Sequence, residues 1–223
     1  MSNDLILVNT TEESLVPGKF NNAILLNPNK WQYAHLSVEA EKKMNSRSQL
    51  TVSFWCKVIG PTQGELIYLQ SMPSGSFNEP GVSIFSDART NKTVFDFVPS
   101  PDRGATKVTA EFDLVPHDEW VYIAFTYDND DYHMYFGVSG GELMTKTFHS
   151  HSSAFLANNG ERITFAQDSL GEYKDQGNAI IYDDIALWSG TALSPEGIRA
   201  IFSSERPVDG RTDMTYYFDL DSI

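Results

Sequence analysis

The sequence predicts an all-β protein in which two antiparallel sheets pack face to face, with one short helix near the C-terminus. Apolar and polar residues alternate along most of the chain, as they do in strands that bury one face. Clusters of Gly, Pro, Asn and Asp separate these short segments. The 223 residues are 41% hydrophobic and 13% aromatic, enough to fill a core. We therefore expect a single domain over residues 1–223.

The alternating segments give the strands in chain order. Residues 50–58 are apolar at every second position from Val52 to Val58, which predicts a strand with one core-facing side. Residues 120–127 are apolar on both faces, which predicts a central strand covered on both sides. The other predicted strands are residues 64–70, 81–86, 93–98, 106–114, 132–138, 162–167, 179–188 and 214–220.

One segment carries the start and stop signals of a helix. The Ser194 side chain can accept a hydrogen bond from a free backbone N–H of the first turn, and Pro195 suits the first helical position because its missing N–H is not needed there. We expect the helix to run to Phe202 or Ser204 and to end before Pro207.

Four segments, in order, carry a family resemblance: residues 18–26, 50–55, 119–128 and 182–188, the last followed by 192–198. They resemble the laminin G-like, concanavalin A-like lectin/glucanase jelly rolls, over residues 18 to 202. The resemblance implies a two-sheet antiparallel jelly-roll sandwich with a concave and a convex surface. It also implies that residues 1–223 form a single laminin G-like jelly-roll domain.

A short acidic stretch raises the question of catalysis. Related β-glucanases place a nucleophilic Glu, a helper Asp and an acid/base Glu on alternate positions of one strand, and retaining hydrolysis needs the two outer carboxyls about 5 Å apart. Here Glu111 and Asp113 share a face, but Val115 and Pro116 follow, and residues 117–119 lie past the proline. We therefore expect a solvent-facing acidic pair and no enzyme, with a degenerate glycan hydrolase as the second alternative.

Calcium is the best cofactor hypothesis that the sequence offers. Family members often bind one ion at the rim of the sandwich through carboxylates and backbone carbonyls, the hard oxygen ligands that calcium needs. Asp168 and Asp183 lie near candidate rim loops. The plainer alternatives are a turn at Asp168 and a structural hydrogen bond at Asp183 or Asp184.

Aromatic side chains could form a platform for a sugar, because the CH groups of a sugar stack on flat rings. The candidates are Trp31, Tyr33, Tyr173 and Tyr182. The alternative is that they belong to the core, since 14 Phe, 10 Tyr and 4 Trp suffice to fill a sandwich.

The net charge of the chain limits the classes of partner that it can bind. Sixteen basic and 30 acidic residues give a net charge of −14, which repels nucleic acid and anionic membranes but tolerates neutral sugars. No apolar run is long enough for membrane insertion. The first residues lack a basic stretch followed by an apolar core, so we expect no secretory signal and a place in the cytoplasm or on a virion surface.

These observations favour a non-catalytic surface or structural module. The leading hypothesis is a virus-particle decoration or adhesion protein, with protein partners in a larger assembly, whose lectin-like fold also binds host or environmental glycans. The first alternative is a free carbohydrate-binding lectin module. The fold itself does not decide between them.

Overall fold

Two antiparallel sheets lie face to face across a shared core, as the sequence predicts. The computed structural model describes residues 4–44, 49–71, 81–98, 107–129, 131–149, 162–172, 177–204, 206–208 and 213–222. Its strands are β1 (Leu5–Val8), β2 (Leu15–Pro17), β3 (Asn22–Leu26), β4 (Tyr33–Leu36), β5 (Gln49–Val58), β6 (Glu65–Gln70), β7 (Gly81–Asp87), β8 (Lys92–Val98), β9 (Val108–Asp113), β10 (Val121–Asp128), β11 (Asp131–Val138), β12 (Leu143–His149), β13 (Thr164–Phe165), β14 (Ile180–Ser189) and β15 (Tyr216–Phe218). The helices are α1 (Val38–Met44) and α2 (Pro195–Ser204), and single 3-10 turns span Glu12–Ser14 and Pro28–Lys30.

The strands divide into a seven-stranded and an eight-stranded sheet. The order in the first is β1-β4-β13-β6-β7-β8-β9, and in the second it is β12-β11-β10-β5-β14-β3-β2, with β15 paired to β14. Neighbouring strands pair antiparallel throughout both sheets. The predicted all-β jelly-roll architecture is confirmed, whereas the strands β1, β2, β3, β4 and β12 were not among the predicted ones.

The core lies between the sheets. Alternate residues of β5 from Val52 to Val58 are fully buried there, as their spacing predicts, and burying each large apolar side chain contributes roughly 1.5–3 kcal/mol. Three hydroxyls inside this core pair with one another. Ser86 Oγ lies 2.7 Å from Tyr68 Oη and 3.1 Å from Thr93 Oγ1, so the three hydroxyls form a continuous chain.

Helix α2 covers the outer face of the eight-stranded sheet. The ring of Phe202 stacks on Trp55, with centroids 5.8 Å apart and an interplanar angle of 17°, and it also contacts Tyr122. Strand β10 is therefore buried on both faces, as predicted. The helix begins at Pro195, where the Ser194 hydroxyl accepts a hydrogen bond from the N–H of Gly197 at 3.1 Å.

The structure adds a second helix, α1, that the sequence analysis did not predict. The Ser37 hydroxyl accepts a hydrogen bond from Ala40 N–H at 3.2 Å, and Ala40 and Met44 are buried in the core. The helix contacts β4 and β14. Within the described part of the chain, neither helix has the length and apolar character that crossing a bilayer would require.

Candidate functional site

Strands β6 to β9 of the seven-stranded sheet point mostly polar side chains outward, and half of these outward residues are buried. The strand register groups the outward residues of these four strands into three rows across the sheet. We call these rows together the outer sheet face: Gln70–Ser83–Asp96–Thr109, Ile67–Phe85–Val94–Glu111 and Glu65–Asp87–Lys92–Asp113. By contrast, the outward surface of the eight-stranded sheet lies under α2.

The first row is held by side-chain hydrogen bonds. Gln70 Nε2 donates to Ser83 Oγ at 3.0 Å. The Asp96 side chain is only 2% exposed, and it accepts from Thr109 Oγ1 at 2.6 Å and from Lys107 Nζ at 3.0 Å. These amide, hydroxyl and carboxylate groups therefore have fixed orientations. Gln70, Ser83 and Asp96 are buried, and Thr109 is the partly exposed member of the row.

The second row contains an aromatic ring that faces outward. Phe85 is partly exposed, lies between Ile67 and Val94, and belongs to neither apolar cluster of the interior. Glu111 at the end of this row is exposed on the edge strand β9. The sequence analysis did not single out Phe85 as a candidate site residue.

The third row is an ion-pair network. Arg89 Nε lies 2.9 Å from Asp87 Oδ1, Arg89 Nη2 lies 2.9 Å from Asp87 Oδ2, and this fork lowers the pKa of Asp87 below its ordinary value. Arg89 also lies 3.8 Å from Glu65. Burial, followed by the Asp87 charge, raises the pKa of Glu65. At the far end, Lys92 Nζ lies 3.4 Å from Asp113 Oδ1.

A cleft of about 260 Å³ borders the outer sheet face, where the edge strand β9 of one sheet approaches the edge strand β12 of the other. Lys146 of β12 donates a hydrogen bond to the backbone carbonyl of Glu111, and its ammonium lies 5.4 Å from the centroid of the Phe112 ring. The cleft is lined by Lys92, Glu111, Phe112, Asp113, Met144, Thr145 and Lys146.

The acidic stretch lies at this edge. Glu111 and Asp113 point outward from β9 and are exposed, as the alternation predicts. Val115 is 2% exposed. Residues 117–119 are exposed in the turn before β10, where Asp118 adopts a left-handed conformation with φ of 60°. The third carboxyl of the glucanase pattern therefore has no counterpart on the strand itself.

The structure brings Tyr33 and Asp168 to neighbouring positions on the seven-stranded sheet. Ser169 N–H donates to Gln70 Oε1 at 3.3 Å, which places the segment after β13 beside the first row. Gly171 of the same segment lies against the Tyr33 side chain, since a Cβ added at Gly171 would be 2.9 Å from the hydroxyl oxygen of Tyr33. Asp168 Oδ1 accepts a hydrogen bond from Glu172 N–H at 2.8 Å, the geometry of the turn alternative.

The other two described aromatic candidates differ in their exposure. Trp31 is partly exposed and ends a 3-10 turn in a left-handed conformation with φ of 57°. Tyr182 is fully buried in the core, where its hydroxyl donates to the carbonyl of Tyr68 at 2.8 Å. Its ring therefore faces the core, as in the alternative interpretation. Tyr173 lies outside the described residues.

Asp183 lies on the opposite sheet, away from Asp168. It faces outward from β14, opposite Trp55, and its Oδ2 accepts a hydrogen bond from Phe20 N–H at 2.8 Å. Burial raises the pKa of Asp183 to about 7. The next residue, Asp184, accepts from Val208 N–H at 3.0 Å.

The two calcium candidates thus do not form one site. Among the described residues, no three His, Cys, Asp or Glu side chains are grouped so that they could hold a metal ion. Asp168 and Asp183 each accept a backbone N–H, as in the two alternatives to metal binding. Calcium binding at either residue stays a hypothesis, and these hydrogen bonds favour the alternatives.

A comparison with protein families agrees with this architecture. The Laminin_G_3 model of the concanavalin A-like lectin/glucanases superfamily matches residues 29–199. The chain belongs to this superfamily. A search of the curated proteins gives no significant match.

Several solved structures share the superfamily fold with this chain. The binding domain of Paraclostridial Mosquitocidal Protein 1 has a TM-score of 0.65 and 17% identity, covering 90% of this chain and 47% of that one. The receptor binding domain of botulinum neurotoxin D has a TM-score of 0.63 and 13% identity, covering 91% and 48%. The binding domain of botulinum neurotoxin DC in complex with SialylT has a TM-score of 0.59 and 13% identity, covering 91% and 47%. The chain thus spans about half the length of these structures.

Proposed function

We propose that the chain is a non-catalytic carbohydrate-binding module whose ligand lies on the outer sheet face. One observation carries this proposal. The partly exposed ring of Phe85 lies between a row of oriented hydrogen-bonding groups and a row of ion pairs, on the sheet surface that α2 does not cover.

This arrangement suits the chemistry of a sugar. The apolar CH face of a pyranose can stack on Phe85, while its hydroxyls reach the polar groups of the neighbouring rows. Thr109 and Glu111 are at least partly exposed on β9, two strands from Phe85, so hydrogen-bonding groups are accessible on the same face. The cleft between β9 and β12 extends the surface at its open edge.

The superfamily and the solved structures support binding without naming the ligand. The similar structures are described as binding domains, one of them in complex with SialylT and another linked to two ganglioside molecules. Because this chain corresponds to about half of each, those ligands do not transfer to it directly. They support carbohydrate recognition as the function class.

The test is a glycan array followed by titration calorimetry of each glycan that binds, comparing the natural protein with Phe85→Ala. We expect the variant to lose at least about fivefold in affinity, because stacking of a flat ring on one aromatic side chain contributes roughly 1–3 kcal/mol in base–aromatic contacts. Tyr217→Ala is the matched control, since Tyr217 is a partly exposed aromatic on the sheet side that α2 covers. An array with no binding, or equal affinity of Phe85→Ala, would contradict the proposal.

The wider role is a separate part of the proposal. The sequence favours decoration of a virus particle, or adhesion, with protein partners in a larger assembly. The measurement is co-sedimentation of the untagged protein with particles purified from its source. Stable attachment would support the building-block role, and a free monomer with glycan affinity would support the lectin alternative.

A further inference from the structure

We propose that the outer sheet face selects neutral glycans and rejects sialylated and other anionic ones. The inference rests on the proposed function and adds to it the class of ligand. Its basis is the set of ion pairs that the charged side chains of this face form with one another. A ligand carboxylate needs a cation that is not already neutralised, or several oriented N–H donors.

The arginine beside the face is already engaged by acids. Both carboxylate oxygens of Asp87 bind the Arg89 guanidinium, each at 2.9 Å, and Glu65 lies 3.8 Å from it. A bidentate carboxylate pair occupies the fork that an anionic sugar would need. An anionic ligand would therefore meet an arginine whose charge Asp87 already balances.

The lysines around the face are engaged as well. Lys107 Nζ lies 3.0 Å from Asp96 Oδ2, and the Asp96 side chain is 2% exposed. Lys92 Nζ lies 3.4 Å from Asp113 Oδ1, and Lys146 donates to the backbone carbonyl of Glu111. Within the described part of the chain, Arg89, Lys92 and Lys107 of this surface therefore each pair with an acid, and Lys146 is held by a backbone carbonyl.

One acid is left over. The side-chain carboxylate of Glu111 makes no hydrogen bond or ion pair with the described residues, and it is exposed at the end of the Phe85 row. A negative sugar stacked on Phe85 would lie roughly 10 Å from this charge, two strand spacings away, on a protein of net charge −14. A neutral sugar avoids this repulsion, and its hydroxyls can donate to the same carboxylate. Glu111 is thus the specificity-determining residue.

The experiment uses pairs of glycans that differ only by a terminal sialic acid, such as lactose and sialyllactose, printed together and then titrated in solution. We expect the neutral member of each pair to bind at least about tenfold more tightly at low salt, and the ratio to shrink in high salt. We expect Glu111→Gln to reduce the preference and Glu111→Lys to abolish or reverse it.

Glu196→Gln is the matched control, because Glu196 of α2 is an exposed acid at the opposite sheet and the substitution removes the same charge. This control should leave the ratio unchanged. Equal or tighter binding of the sialylated member would overturn the inference and leave the proposed function standing. An unchanged ratio in Glu111→Lys would also overturn it. Binding of neither member of any pair would instead remove the proposed function, and the inference with it.

Discussion

The carboxylate of Glu41 in α1 accepts a hydrogen bond from the backbone N–H of Ile163, with Oε1 and N 3.1 Å apart. The two residues are 122 positions apart in the chain, so this contact joins α1 to the segment that leads into β13. The carbonyl of Ile163 in turn accepts a hydrogen bond from Leu36 N–H at 3.0 Å. A buried acid therefore fixes one end of the seven-stranded sheet.

Glu41 should make the stability of the fold depend on pH. Burial raises its pKa from 4.5 to about 7, although the Ile163 N–H and the Arg162 charge act in the opposite direction. Because the folded-state pKa is the higher one, its stabilising contribution is complete below pH 4.5 and is lost as the pH rises through 7. We expect Glu41→Gln to remove this loss and to gain roughly 1–2 kcal/mol over the natural protein at pH 8.

The measurement is urea unfolding from pH 4 to pH 8 for both proteins, with the difference plotted against pH. Taking the difference cancels the similar contribution of Asp183, whose pKa is also raised to about 7. It also cancels the contribution of His35, because burial lowers the pKa of His35 in both proteins. Glu41→Ala is the second variant. It leaves the Ile163 N–H without its acceptor and should lose stability at every pH. A pH-independent difference for Glu41→Gln would contradict the assignment.

Alternation predicted the strands but could not decide which face of β7 lies inward. Strand β7 carries apolar residues on both sides, Val82 and Ile84 on one and Phe85 on the other. The structure turns Phe85 outward and buries Ser86, because Tyr68 and Thr93 supply hydroxyl partners for the serine inside the core. Those partners come from other strands, so the sequence of β7 alone does not contain the information.

Helix α1 escaped prediction because it is short and little of it is buried. Seven residues give two turns, and its apolar residues Ala40 and Met44 form no full stripe. A signal was nevertheless present. Ser37 precedes the helix as a cap, Glu39 and Glu41 lie in its first turn, and two lysines lie in its last turn, an order that suits the helix dipole.

Alanine substitutions at Gly18 and at Gly197 should change the free energy of unfolding in opposite directions. A Cβ at Gly18 would lie 2.6 Å from the carbonyl oxygen of Asn22 and 2.7 Å from Asp183 Oδ2, so we expect Gly18→Ala to cost roughly 1–3 kcal/mol. At Gly197 the nearest atom would be Ser194 Oγ at 3.6 Å. Since this residue lies within α2, Gly197→Ala should gain about 0.5–1 kcal/mol. Thermal unfolding of both variants checks the pair, and equal shifts in one direction would contradict it.

The attachment of α2 should depend on Phe202. Its ring fills the space above Gly137, where a Cβ would lie 2.9 Å from the ring, and stacks on Trp55. We expect Phe202→Ala to lower the free energy of unfolding by about 3–5 kcal/mol. Ser194→Ala, which removes only the cap of the same helix, should cost about 1 kcal/mol. Denaturant titration compares the two, and a loss below that of the cap variant would show that α2 packs differently.

Calcium should not stabilise the protein through Asp168 or Asp183. Each carboxylate already binds a backbone N–H, and the two lie on different sheets. We expect the melting temperature to be the same in millimolar calcium and in chelator, within the error of the scan. Asp168→Asn should leave that comparison unchanged. A rise in melting temperature with calcium that Asp168→Asn or Asp183→Asn abolishes would establish the metal site that the sequence raised.

Hydrolysis of β-glucans should be absent. The double displacement needs a nucleophilic carboxylate and an acid/base carboxyl about 5 Å apart on the same side of the sugar. Glu111 and Asp113 point outward on β9, but Asp113 is paired with Lys92, and the next position of the pattern is Val115, which is buried. We expect no release of reducing sugar from laminarin or mixed-linkage glucan above a buffer blank, and no difference between the natural protein and Glu111→Gln in that assay.

Turnover that Glu111→Gln abolishes, in a variant whose melting temperature is unchanged, would make the outer sheet face an active site. The neutral-glycan preference of Glu111→Gln, measured on the same preparation, separates a change in binding from a change in catalysis.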